Sequence, residues 1–149
     1  MKKIIILSAL IILFIGTLNV TSAALTTDNV GFKNSEVTER FGDYKGWTKF
    51  SSTWFTVTDV MKFKKKFTNP DTPYMGYAKI KCVHKDDRIK SVKLRVYVGY
   101  KGVKYKTYNF KKPKKSVTIK LGKNTHLDTF QEGSYNKNIA KIKHNKLYI

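Results

Sequence analysis

The chain has 149 residues and a formal net charge of +20, from 30 lysine and arginine residues against 10 acidic ones. A chain of this length usually closes around one hydrophobic core, which predicts a single domain. The hydrophobic fraction of 41% and the aromatic fraction of 13% exclude a disordered basic tail, because such tails lack the apolar surface that offsets chain entropy.

The N-terminal residues have the three parts of a secretory signal peptide. Lys2 and Lys3 precede an apolar run over residues 4–15, and small residues follow at 21–23, where a signal peptidase cuts. The run is shorter than the ~20 apolar residues of a membrane-spanning helix, the alternative for such a segment. We expect residues 1–23 to be a signal peptide cleaved after Ala23, leaving a secreted protein that is either free outside the cell or associated with the cell wall.

The charge is unevenly distributed along the chain that would remain. Residues 24–59 contain four basic and five acidic residues, whereas the other 24 basic residues lie beyond residue 59 with only five acids. Cys82 is the only cysteine, so the chain forms no internal disulfide. It falls at an inward strand position in the pattern below, which favours a buried, inert thiol over a bridge to a second molecule.

Most of the predicted elements are strands. Residues 24–46 are polar and lack a sustained period, and we interpret them as an extended lead-in to a single β domain over residues 47–149. Beyond them, apolar and polar residues alternate as half-buried strands require. The alternating segments are residues 54–64, 77–84, 89–98, 103–110 and 116–121, and a last strand or hairpin over 138–143 and 146–149.

Loop signals separate these segments. Two prolines interrupt residues 68–73, residues 85–88 have the composition of a turn, and residues 111–115 are a charged connection that contains Pro113. Residues 123–136 have the composition of a loop. About seven short strands at this spacing predict an antiparallel β-sandwich, immunoglobulin-like or similar, with a small β-barrel as the alternative.

The hairpin between residues 89–98 and 103–110 sets the first register. If Lys101 and Gly102 form a two-residue loop, with the glycine at positive φ, Val98 lies opposite Tyr105 on the core side. For the preceding turn, apolar residues meet apolar residues when Cys82 lies opposite Val92. That pairing would make one sheet of three consecutive strands.

These registers gather basic and aromatic side chains on one exposed face, with Tyr77 and Phe110 interleaved among them. The residues that we assign to binding of an anionic ligand are Lys79, Lys81, Lys93, Arg95, Lys104, Lys106, Tyr97 and Tyr108. Like charges opposite one another cost up to about 1 kcal/mol per pair, and a purely structural surface ordinarily mixes signs. A cationic platform with aromatic rings is typical of proteins that bind polyanions. The alternative is a solvated surface whose lysines reflect genome composition.

Lysine outnumbers arginine 27 to 3, which disfavours sequence-specific nucleic-acid recognition because arginine is the residue suited to bidentate contacts. Anionic envelope polymers such as teichoic acids, or anionic lipids, fit long-range capture by lysine better. The first hypothesis is therefore a secreted cationic protein that binds such polymers or membranes, either as an antimicrobial, bacteriocin-type protein or as a non-lytic wall-binding factor.

Two other classes of function remain open. An aromatic-rich segment could anchor a protein partner, as in an inhibitor, adhesin or toxin subunit, although its rings could equally form the core. Its aromatic residues are Phe41, Tyr44, Trp47, Phe50, Trp54 and Phe55. The third class is a small nuclease-like hydrolase using His84 or His126, each of which has aspartates close by in the chain. We expect no enzyme activity or cofactor, because the sequence has no catalytic motif and these histidines and aspartates lie in predicted turns or loops. We expect no metal site, because the three histidines form no pair at metal-binding spacing.

Overall fold

The computed structural model describes residues 25–42, 44–64, 74–99, 101–129 and 137–146. Within these ranges the regular structure is entirely β, without helices. The strands are β1 (Leu25–Gly31), β2 (Glu36–Phe41), β3 (Lys45–Ser51), β4 (Phe55–Lys62), β5 (Met75–Cys82), β6 (Ile89–Val98), β7 (Gly102–Lys114), β8 (Ser116–Gly122), β9 (Thr125–Leu127) and β10 (Asn138–Asn145).

The strands form two antiparallel sheets. Sheet A has the order β1-β10-β6-β7, with the short β9 also paired to β6, and sheet B has the order β2-β3-β4-β5-β8. Neither sheet closes into a barrel over the residues that the structure describes. The prediction of an all-β fold with antiparallel sheets is confirmed, and the barrel alternative is not observed in these ranges.

Both sheets contribute to one hydrophobic core. Phe50, Val57 and Ile80 enter it from sheet B, and Leu94 and Ile142 enter it from sheet A, each with at most 1% of its surface exposed. The alternation in the sequence correctly identifies the inward positions of β5 and β6. These are Ala78, Ile80, Cys82, Val92, Leu94 and Val96, all of which are buried. Each sheet therefore also has an outer face, which points away from the shared core.

One close contact fixes the position of β9 against sheet B. A Cβ on Gly76 of β5 would lie 1.6 Å from the backbone oxygen of Thr125 in β9. Only glycine leaves room for that approach. Hydrogen bonds to β4 hold the same segment. The buried carboxylate of Asp59 accepts a 3.0 Å hydrogen bond from the backbone N–H of Leu127 and a 3.2 Å hydrogen bond from the hydroxyl of Thr129.

Several segment boundaries differ from the sequence-based interpretation. The expected lead-in, residues 24–46, contributes β1, β2 and the start of β3, because β1 pairs along its length with β10 and β2 pairs with β3. The predicted connection at residues 111–115 is mostly part of β7, which tolerates Pro113 because β7 is an edge strand. The expected signal peptide, the predicted loop at 68–73 and residues 147–149 of the predicted last strand or hairpin lie outside the described residues.

The two predicted registers around β6 are wrong. β5 and β6 do not pair, because the turn at residues 85–88 carries the chain from sheet B to sheet A. β6 and β7 do form a hairpin, but Val98 pairs with Gly102 instead of Tyr105. Gly102 has the expected positive φ of 80°, yet it is the first paired residue of β7 and not part of a two-residue loop. This shift of an odd number of residues exchanges the faces of β7.

Candidate functional site

The outer face of sheet B carries ordered rows of basic and hydroxyl side chains. One row runs across all five strands and alternates threonine with lysine. It consists of Thr38, Lys49, Thr58, Lys79 and Thr118. The next row toward one end contains Ser51, Thr56, Lys81 and Ser116. We call this surface, together with the adjoining row that contains Trp47, Val60 and Tyr77, the sheet B face.

An apolar strip lies beside these rows. Trp47, Val60 and Tyr77 are neighbours across β3, β4 and β5, with Arg40 and Lys120 at the two ends of the row. Val60 faces outward between these two aromatic neighbours but is only 4% exposed. The sheet B face therefore has a narrow aromatic centre between cationic margins.

Two of the cations rest on these rings. The guanidinium carbon of Arg40 lies 5.8 Å from the Trp47 ring centre, and Lys62 Nζ lies 5.1 Å from that of Tyr77. Cation–π contacts of this kind are worth about 0.5–1 kcal/mol at exposed sites. These contacts hold the charged groups beside the aromatic strip. Because the two side chains are already partly ordered, a ligand that binds them loses less side-chain entropy.

A depression of ≈ 490 Å³ occupies the middle of this surface. Its lining includes Trp47, Lys49, Thr58, Lys79 and Lys81. Lys49 and Lys79 are separated by one intervening strand, which corresponds to about 10 Å at ordinary strand spacing. An extended anionic chain could lie across the strands with phosphates or sulfates near the ammonium groups and its uncharged units against the ring of Trp47.

No carboxylate neutralises the lysines of the sheet B face among the described residues. None of them forms an ion pair within 4.0 Å, and Glu36, at the edge in β2, is the acid that shares this surface. Four other acids are engaged in contacts elsewhere. These are Asp28 and Asp87 with His144, Asp128 with Arg95 and Lys137, and Asp59 in the core.

The predicted binding residues do not form one surface. Lys79 and Lys81 lie on the sheet B face, as part of the rows described above. Lys93 and Arg95 lie on the outer face of sheet A, across the core from Lys79 and Lys81, because β5 and β6 belong to different sheets. The expected single platform of three strands is therefore divided between two faces.

The remaining basic residues of the prediction are also displaced, since the β7 register differs from the expected one. Lys104 and Lys106 lie opposite Val96 and Leu94, on the core side of sheet A. Lys106 reaches across to sheet B, where its ammonium group donates a 2.6 Å hydrogen bond to the backbone oxygen of Leu121.

The two predicted tyrosines pack against the protein itself. Tyr108 is half-buried against the core, and burial raises the pKa of its hydroxyl. Tyr97 does lie on the outer side of sheet A, but its ring stacks on buried His126 at a centroid distance of 5.6 Å. Neither ring lies on the sheet B face.

The aromatic N-terminal segment is divided between core and surface. Phe50 and Phe55 are fully buried, and Trp54 packs against the core. Trp47 is half-buried on the sheet B face and Tyr44 is exposed, whereas the side chain of Phe41 lies outside the described residues. Most of the described part of this segment therefore supports the core.

Two of the three histidines are buried in contacts with carboxylates. His144 Nδ1 lies 2.7 Å from an Asp87 oxygen, and its Nε2 lies 2.5 Å from an Asp28 oxygen, which joins β10 to β1 and to the turn before β6. His126 Nδ1 lies 3.9 Å from Asp59, whose pKa is raised to about 7 by burial despite two hydrogen bonds.

His84 is exposed beside Trp54. The described residues hold no cluster of three histidine, cysteine or acidic side chains arranged to bind a metal ion. Cys82 is buried with a free thiol, as expected, and burial raises its pKa to about 12.

In the described part of the chain, no helix has the length and apolar character needed to cross a membrane. Neither a protein-family model, nor a curated protein, nor a solved structure matches this chain. The fold and the surface thus define a basic all-β protein of two antiparallel sheets, and any assignment of function has to come from the side chains of its faces.

Lys49 and the threonine rows are not among the binding residues predicted from the sequence, and Trp47 is included there only in the aromatic segment that could anchor a protein partner or form the core. Alternation within β3 and β4 places Thr56 and Thr58 outward beside Lys49 and Trp47, but the sequence-based interpretation ends the lead-in at residue 46 and assigns no strand to the rest of β3. Once β3, β4 and β5 are recognised as a meander, the register between them follows from their inward apolar residues.

Proposed function

We propose that this chain is an exported protein that binds an anionic envelope polymer of the teichoic-acid type on the sheet B face. Such a polymer consists of polyol or sugar units joined by phosphate esters. The observation that carries the proposal is the alternating row of Thr38, Lys49, Thr58, Lys79 and Thr118 beside the Trp47–Val60–Tyr77 strip, without neutralising carboxylates among the described residues.

The chemistry of the face matches the two parts of such a polymer. Lysine ammonium groups attract phosphates as hydrated point charges and do not require a fixed geometry. Threonine hydroxyls can both donate and accept hydrogen bonds with polyol hydroxyls. Trp47 supplies a flat apolar surface for the uncharged unit between two phosphates.

A polymer fits this face better than a lipid bilayer does. Insertion into a membrane interface requires exposed apolar side chains, as on amphipathic helices. Trp47 and Tyr77 are only half-exposed and lie in a row flanked by cations, and Val60 between them is buried. A linear polyanion can contact the depression without inserting, so we assign the polymer and leave the membrane as an outcome of the test.

Sequence-specific reading of nucleic acid is disfavoured by the placement of the arginines. Arg88 binds carbonyl oxygens within residues 85–87, and Arg95 Nε binds Asp128 at 2.8 Å. Arg40 rests on an aromatic ring of the sheet B face. These positions leave no cluster of arginines among the described residues for bidentate contacts with bases.

The test is binding of purified poly(glycerol phosphate) by calorimetry over a range of salt concentrations, with uncharged dextran and anionic lipid vesicles in parallel. We expect binding to the phosphate polymer that weakens steeply with salt, because bound counterions are released. A triple variant, K49Q/K79Q/K81Q, should reduce the slope of log K against log salt by about 2.

The matched control is K33Q/K85Q/K123Q, which removes the same charge from exposed turns outside the sheet B face. Equal loss of affinity in both variants would overturn the assignment of the face. Binding that ignores salt, or binding to vesicles but not to the polymer, would overturn the polymer as ligand.

The proposal that the chain is exported depends on its N-terminal sequence. The role of the protein outside the cell can be tested on Gram-positive cells. If the purified chain without residues 1–23 arrests or lyses Gram-positive cells, binding serves an antimicrobial, bacteriocin-type activity. If it is retained on walls without harm, it is an adhesive or wall-associated factor.

We further propose that the two sheets form a sandwich of the immunoglobulin-like or a related class, which the shared core supports.

A further inference from the structure

A second cationic pocket lies on the outer face of sheet A. It has a volume of ≈ 350 Å³, and the residues that matter here are Lys93, Arg95, Lys137 and Lys141, with Tyr105 at its side. Two of these four cations contact the carboxylate of Asp128, which lies 2.8 Å from Arg95 Nε and 3.4 Å from Lys137 Nζ, and within the described ranges no ion pair joins Lys93 or Lys141 to an acid.

Internal contacts hold several of these cations in place. Lys93 Nζ lies 5.1 Å from the centre of the Tyr105 ring, and Lys137 Nζ lies 5.9 Å from that of Phe32. Arg95 uses only Nε for its bond to Asp128, so its other guanidinium nitrogens retain their donors among the described residues. A ligand that binds here meets charges that are already positioned, which lowers the entropy cost of binding.

The pairing of Lys141 with Lys93 is unfavourable in the free protein. These two lysines lie directly opposite one another in β10 and β6. Like charges in such positions destabilise a sheet by a few tenths of a kcal/mol to about 1 kcal/mol. A phosphate between them would remove the repulsion, which makes this pair a natural contact for an anion.

We propose that the protein is bivalent: the sheet B face and this sheet A pocket bind two separate segments of anionic polymer, and the chain thereby cross-links polymer strands. The inference rests on the proposed function, since it assumes the same class of ligand. Because the hydrophobic core lies between the two outer faces, one polymer segment lying flat on the sheet B face cannot fill the sheet A pocket as well. Two segments on opposite sides make the protein a bridge.

The first experiment counts sites with a short glycerol phosphate oligomer by calorimetry. We expect two oligomers per wild-type chain. K93Q/K141Q should bind one and keep the affinity of the sheet B face, and K49Q/K79Q should bind one at the sheet A pocket. A stoichiometry of one for the wild-type chain, abolished by K49Q/K79Q, would overturn bivalency while leaving the proposed function intact. No binding to either face would overturn the proposed function itself.

The second experiment measures cross-linking with long poly(glycerol phosphate) by light scattering as protein is added. Wild-type protein should give large assemblies that dissolve again when protein is in excess, because each polymer segment then has its own protein molecule. K93Q/K141Q should bind the polymer but lose the assemblies. The control K33Q/K85Q has the same net charge as K93Q/K141Q, and it should behave as wild type. Loss of the assemblies in both variants would show that charge neutralisation alone condenses the polymer, and would overturn the proposal.

Discussion

Lys79 and Lys93 lie on the outer faces of different sheets, with the hydrophobic core between them. Lys79 belongs to a row of alternating threonines and lysines, and Lys93 lies directly opposite Lys141. Basic side chains therefore lie on the outer faces of both sheets. Each side can be altered without touching the other, which makes the contribution of each face separately measurable.

Replacing Trp47 should separate the aromatic strip from the charges around it. We expect Trp47→Ala to weaken binding of poly(glycerol phosphate) about tenfold, which corresponds to about 1.4 kcal/mol, because the polymer loses its flat apolar contact. Trp47→Phe should recover most of this loss. Calorimetry at one fixed salt concentration provides the measurement, and an unchanged salt slope in Trp47→Ala confirms that the lysines still act. Full affinity in Trp47→Ala would exclude the strip from the site.

The contact between Gly76 and Thr125 predicts a large effect of one methyl group. Gly76→Ala should lower the free energy of unfolding by about 3 kcal/mol, because the new Cβ would require β9 to move away from sheet B. Gly42→Ala is the control, since its Cβ would meet its nearest neighbour at an ordinary 3.6 Å. Urea unfolding of both variants gives the comparison, and equal stabilities would contradict this position of β9.

Asp59 predicts a specific dependence of stability on pH. Burial raises its pKa from 3.8 to about 7, so between these values the folded chain holds a proton that the unfolded chain has lost. Its contribution to the free energy of unfolding is therefore greatest at acidic pH and declines as pH rises to about 7, by up to about 4 kcal/mol.

Asp59→Asn should remove this decline, because an amide can still accept the hydrogen bond from Leu127 without ionising. The measurement is the difference in unfolding free energy between wild type and variant from pH 4 to pH 8, in which the titrations common to both proteins cancel. His126, which lies 3.9 Å away, is present in both. A difference that stays constant with pH would refute the raised pKa.

His144 links three parts of the fold through two carboxylates. His144→Gln should lower the free energy of unfolding by roughly 3 kcal/mol, because buried Asp87 would lose the ring nitrogen at 2.7 Å and keep, among the described residues, only the hydrogen bond from the Arg88 backbone N–H. The control, His84→Gln, replaces an exposed ring and should cost about 1 kcal/mol or less. Thermal unfolding monitored by circular dichroism measures both, and the prediction fails if the two variants have the same midpoint.

The local pattern was sufficient to predict which residues face the core. Ala78, Ile80 and Cys82 in β5, and Leu94 and Val96 in β6, are buried as their alternation indicates. Period-two alternation is a property of a single strand, so it can be recognised without knowing the partner of that strand. For the same reason it does not indicate to which sheet the strand belongs.

The candidate site could not be predicted from the local pattern, because it depends on which strands pair and in which register. A turn such as residues 85–88 can join two strands of one sheet or carry the chain to another sheet, and the composition of the turn is compatible with both. Val98 pairs with Gly102 of β7 and not with Tyr105 as predicted. This difference in register places Lys104 and Lys106 on the core side. A surface assembled from three strands is therefore sensitive to each pairing, whereas the core of each strand is not.

The most direct measurement is backbone amide NMR of the chain without residues 1–23 during a titration with a short glycerol phosphate oligomer. We expect the first and largest shift changes in β3, β4, β5 and β8, around Lys49, Lys79 and Lys81, with changes around Lys93 and Lys141 as the second site fills. Changes spread evenly over all exposed lysines, or confined to β7 and residues 85–88, would contradict the assignment of the polymer site to the sheet B face.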